Sequence, residues 1–86
     1  MKKAIAGKRR LSEIVGWYGT TAIVLAYILV SFKVVAADGV VYQLLNLTGA
    51  IGIIVISLVK GVKQSVVLNV FWALIAVVAL LSIAIR

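Results

Sequence analysis

Five side chains set within long apolar runs hold most of the chemistry that this chain offers: Tyr27, Gln43, Asn46, Asn69 and Trp72. They are a phenol, three carboxamides and an indole, all hydrogen-bonding groups without formal charge. In an apolar medium such groups must find partners. They either bond one helix to another or line a path for a small neutral solute. Other chemistry is poorly provided for. The chain has no His and no Cys, so the usual general base, thiolate nucleophiles, disulfides and soft-metal sites are not expected. Glu13 and Asp38 are its only acidic residues, a supply of oxygen ligands that points away from paired-carboxylate chemistry and from a cage around a hard cation. The inventory points away from an enzyme, and no cofactor is expected.

The elements that must position these groups are visible in the composition. Hydrophobic residues make up 65% of the 86 residues, charged residues 13%, and the mean hydropathy is +1.27. Soluble domains carry about 25% charged residues, and a chain this short buries its surface inefficiently in water. Lipid is the solvent that fits. Apolar runs cover residues 14–32, 40–59 and 66–85, each near the ~20 residues that cross a bilayer as a helix. None shows the alternation of a membrane strand, and no Pro interrupts any of them. The expected fold is an all-α membrane protein of three transmembrane helices, packed as a homo-oligomeric bundle. The domain division is a basic arm over 1–11 and a three-helix domain over 12–86.

Local signals mark the ends. Ser12 is read as the N-cap of the first helix with Glu13 in its first turn, Asp38 as the cap of the second and Ser65 of the third. Gly61 follows Lys60 where a C-terminal cap is wanted. The short connections imply antiparallel neighbours. A cleavable secretory signal is the rival reading of the N-terminus. It fits less well, because the first apolar run exceeds 7–15 residues and Lys33 precedes the small residues Val35-Ala36-Ala37.

Cations set the direction. Lys2, Lys3, Lys8, Arg9, Arg10, Lys60 and Lys63 fall on one side, Lys33 and Arg86 on the other. This bias predicts the first side as cytoplasmic, with the N-terminus in and the C-terminus out. The net charge of +7 therefore reads as topology rather than nucleic-acid binding, since it gathers at span ends. Lys2, Lys3, Lys8, Arg9 and Arg10 are the residues expected to meet anionic headgroups.

At ~1.5 Å per residue, Tyr27 and Asn46 lie about 8 and 9 Å below the outer edges of their spans. With Gln43 and Ser31 they form an expected outer layer. Trp17, Thr20, Thr21, Ser57, Asn69 and Trp72 form an inner one. Small residues add a second pattern: Gly16, Gly19, Gly49, Gly52, Ala73 and Ala76 let helices approach closely. More small faces than three helices can pair would favour self-association or membership of a larger membrane complex. Interhelical bonding is the favoured role of the polar layers, and a solute path the alternative.

The segments Trp17-Tyr18-Gly19, Tyr42-Gln43-Leu44-Leu45-Asn46-Leu47-Thr48-Gly49-Ala50 and Asn69-Val70-Phe71-Trp72-Ala73, together with Tyr27, resemble an uncharacterised family of small prokaryotic three-helix membrane domains. The resemblance covers nearly the whole chain after Leu11 and implies an inner-membrane module. A looser similarity is to half-transporters of the SemiSWEET and PQ-loop type. It implies a third helix lying between the first and second, and dimers around a path for a neutral sugar. The chain departs from that type in lacking the Pro-Gln hinge of the first helix.

Overall fold

The computed structural model describes residues 2–86, with side chains from residue 9 onward. Three helices follow in order: α1 (Lys2–Ser31), α2 (Val40–Lys60) and α3 (Lys63–Ala84). All three are long and apolar enough to cross a membrane. The fold is all-α, as the apolar runs require, because a helix satisfies its own backbone within one segment.

α1 begins well before its apolar run. Ser12, expected as its N-cap, lies inside the helix and is buried. The basic stretch is rich in Lys, Ala and Arg and has no Pro. Each added residue then gains a hydrogen bond without a new nucleation cost, so the helix propagates into it. At 30 residues, α1 extends about 45 Å and outreaches the hydrocarbon core. The side chains of Lys2, Lys3 and Lys8, expected on anionic lipid, lie outside the described residues.

The other two expected N-caps are also displaced. Gly39, extended at φ −94°, ψ 160°, occupies the N-cap of α2, and Val62 that of α3, neither with a side-chain capping bond. Asp38 instead approaches Arg86 at 3.9 Å, tying the α1–α2 loop to the end of α3. The loop is held again by Gln43, whose Nε2 donates to the Ala37 carbonyl at 2.9 Å. Ser65 sits in the first turn of α3 and turns its hydroxyl toward α2.

Two helix ends close in the same way. After α2, Val62 N–H donates to Ser57 O at 2.9 Å and Gly61 N–H to Leu58 O at 3.3 Å, with Gly61 left-handed at φ 72°. After α1, Val34 N–H donates to Leu29 O at 2.9 Å and Lys33 N–H to Val30 O at 3.2 Å. Both are Schellman closures. Gly61 was expected in its role. Lys33 takes the equivalent place at φ 60°, where a side chain is strained.

α2 is the centre of the fold. α1 packs along one flank and α3 along another, and α1 and α3 do not pack on each other. The helical order therefore differs from that implied by the half-transporter similarity, in which the third helix is central. What lies between the helices is small: Ala22, Ala26, Ala50 and Ala76 are buried with Ser12, Asn46, Ser57 and Asn69, and among the described residues no large side chain is fully enclosed. The large residues face outward, as with Ile75, Val78 and Leu81 on α3. In water this inversion would be ruinous. In lipid, Leu and Ile gain nothing by leaving the solvent, while small residues let backbones meet.

Candidate functional site

The α1–α2 contact is built from glycine. A Cβ on Gly52 would stand 2.6 Å from the Val15 carbonyl oxygen and 3.1 Å from the Gly19 Cα. One on Gly49 would stand 2.9 Å from the Gly19 carbonyl oxygen. One on Gly16 would stand 2.8 Å from the Ile56 Cβ. On α1 the buried stripe is Ser12, Gly16, Gly19, Ala22 and Ala26, three or four residues apart and so on one face. Ser12, Ala22 and Ala26 were missed in the sequence although the same spacing marks them. Ala76 is buried in α3 and Ala73 is half-buried. The glycine faces of α1 and α2 thus meet each other within one chain. This removes the surplus of small faces from the argument for self-association.

Tyr18 adds a bond to the same contact. The Thr48 hydroxyl donates its proton to Leu44 O at 2.8 Å, so the Tyr18 phenol, 2.8 Å from Thr48 Oγ1, is the donor between them. At the α1–α2 end that carries most cations, Lys60 Nζ lies 2.7 Å from Glu13 Oε1.

The α2–α3 contact holds the amides. Trp72 Nε1–H donates to Asn46 Oδ1 at 3.0 Å, and Asn46 Nδ2 donates back to Tyr42 O at 2.9 Å. Nearer the α2–α3 turn, Ser57 Oγ–H donates to Ser65 Oγ at 2.7 Å, and Asn69 Nδ2 donates to Ser65 O at 2.9 Å. A longer contact of 3.4 Å joins the same amide to Ser65 Oγ. Asn46 and Ser57 are each 5% exposed and Asn69 7%. Among the described residues no buried side-chain nitrogen or oxygen lacks a partner. Ala50 lies between the two rungs on α2 and Ala76 one turn beyond Trp72 on α3, both too small to separate the helices.

This ladder revises the two expected layers. Asn46 and Trp72 were assigned to different depths, yet they bond to each other. Depth counted from backbone position ignores the length of the indole, which spans the interval. Tyr27 joins neither rung. It is 70% exposed on α1 and makes no hydrogen bond among the described residues. Gln43 serves the loop. Trp17 is exposed, and Thr20 spends its hydroxyl on Gly16 O at 3.1 Å.

One furrow remains open. Because α1 and α3 do not close over α2, a cavity of about 340 Å³ lies between them on the side of the α2–α3 turn, with Trp17 and Thr20 on one wall, Ile53 and Ile56 on its floor and Ser65 opposite.

A small-residue core, outward-facing Leu, Ile and Val, and a buried amide ladder define a three-helix membrane protein. The chain belongs to an uncharacterised protein family, whose model matches residues 12–86. The match leaves the basic N-terminal stretch outside the family's common part. No curated protein and no solved structure matches the chain.

Proposed function

We propose that the protein is a non-enzymatic structural or accessory subunit of the prokaryotic cytoplasmic membrane that associates with itself or within a larger membrane complex. Its N-terminus is cytoplasmic and its C-terminus outside, by the distribution of its cations. The observation that carries this reading is the pairing of Asn46 with Trp72 and of Ser57 with Ser65 across α2 and α3. Of the groups that would line a solute path, Asn46, Ser57 and Asn69 are buried and hydrogen-bonded, and Trp72, though 43% exposed, gives its indole N–H to Asn46. Their bonds fix the register of α2 and α3, giving a stiff unit whose outer flanks are left for lipid or for another subunit.

Chemical crosslinking in native membranes, followed by copurification in mild detergent, tests the proposal. A homo-oligomer or a defined complex is the expected product. A lone monomer with no partner would overturn it. So would solute flux in liposomes that is abolished by Asn46→Leu or Asn69→Leu.

A further inference from the structure

The furrow shares Ser57 and Ser65 with the α2–α3 ladder, and the Glu13–Lys60 pair at its mouth bridges α1 and α2, yet neither contact fills it. A second hollow, of about 350 Å³, is lined by Arg9, Glu13, Val59 and Lys60, and it shares Glu13 and Lys60 with the furrow. One hollow is charged and the other largely apolar, and they meet at the end of the bundle where cations gather.

We propose that these joined hollows seat one anionic phospholipid, with its phosphate held by Arg9 and Lys60 and an acyl chain lying in the furrow against Trp17, Ile53 and Ile56. The charges favour an anion. Two cations face one carboxylate, and Lys60 has three N–H donors, of which Glu13 needs one. Arg9 forms no ion pair among the described residues. Basic pockets between membrane helices at the cation-rich face are the general form of headgroup sites.

The furrow suits a hydrocarbon chain because its polar walls are already satisfied. Thr20 donates to Gly16 O, and Ser57 to Ser65. From Glu13 to Thr20 the furrow runs about 10 Å into the span. A second copy is a poorer occupant, since a two-fold contact on this face would bring Arg9 and Lys60 against their own counterparts. The lipid seat is independent of the subunit role proposed above.

The test is native mass spectrometry of the full chain with equal amounts of phosphatidylglycerol and phosphatidylcholine bearing the same acyl chains. Preferential retention of phosphatidylglycerol is expected. Arg9→Gln should lower that preference about fivefold, whereas Arg10→Gln, which lines neither hollow, should leave it unchanged. Equal retention of both lipids overturns the proposal, as does an equal loss from Arg9→Gln and Arg10→Gln, which would indicate diffuse attraction. Displacement by soluble glycerol phosphate would make the site one for free phosphate and would also overturn it.

Thr20→Trp, which fills the furrow, should abolish retention. Should that variant fail to fold, quenching of Trp17 by acyl-brominated lipid, taken as the difference from Trp17→Phe, replaces it. Stronger quenching by phosphatidylglycerol than by phosphatidylcholine supports the seat, and equal quenching refutes it.

Discussion

The indole nitrogen of Trp72 stands 3.0 Å from the side-chain oxygen of Asn46 and joins α3 to the middle of α2. Neither residue is fully served without the other. Asn46 spends its amide N–H on Tyr42 O, so its oxygen depends on Trp72. The indole N–H, in turn, has a single proton to give.

Trp72→Phe and Asn46→Leu should each destabilise the fold, and their effects should not add. Interhelical bonds of this kind average ~0.6 kcal/mol and reach about 1.7. Unfolding in mixed micelles of the two single variants and the double variant measures the coupling. A coupling near zero would show that the bond contributes nothing.

Gly19→Ala and Gly52→Ala should separate α1 from α2, at a cost of about 1–3 kcal/mol for overpacking. In both cases the added Cβ meets backbone, which cannot rotate away: for Gly52 the Val15 carbonyl, for Gly19 the Ile53 nitrogen at 2.9 Å. Gly16→Ala should also be costly, because its added Cβ would stand 2.8 Å from the Ile56 Cβ, which the backbone holds in place. Thermal unfolding in one detergent ranks the three. A variant among them that loses no stability would contradict the packing described.

These two contacts were not equally legible in the sequence. The glycines of α1 and α2 were readable, since the spacing of small residues by three and four survives whatever the partner is. The pairing of Trp72 with Asn46 was not. It depends on the rotation of α3 about α2 and on the reach of an indole, and neither is written in the positions of the residues. The order of the helices was hidden for a related reason. Short connections at 32–39 and 61–62 fix antiparallel neighbours but not whether α3 returns to α1. The start of α1 was misplaced because Ser12 has a capping side chain, while nothing before it stops a helix.

Helix closure gives a pair of opposite predictions. Lys33 and Gly61 occupy equivalent left-handed positions, at φ 60° and 72°. Lys33→Gly should raise stability, by less than the ~1–2 kcal/mol that an L residue loses there, since glycine also frees the unfolded chain. Gly61→Ala should lower stability by about 1 kcal/mol, although nothing lies within 4 Å of its added Cβ. Chemical denaturation of the two variants decides it. If both shift in the same direction, backbone strain is not what distinguishes these ends.

The Glu13–Lys60 pair, 2.7 Å apart, has its two side chains 43% and 58% exposed, so water and salt weaken it. Pairs this open contribute about 0.2–1 kcal/mol. Glu13→Lys alone should cost more than that pair is worth, because it sets two ammonium groups where α1 leaves the membrane beside the end of α2, with Arg9 nearby. Lys60→Glu in the same chain should restore most of the loss by reversing the pair. Thermal unfolding at low and high salt checks both claims. The single variant should improve as salt rises, because screening reduces like-charge repulsion, and the reversed pair should weaken slightly. If reversal fails to rescue at low salt, then Lys60 acts through packing of its methylene stem against α1 rather than through its charge.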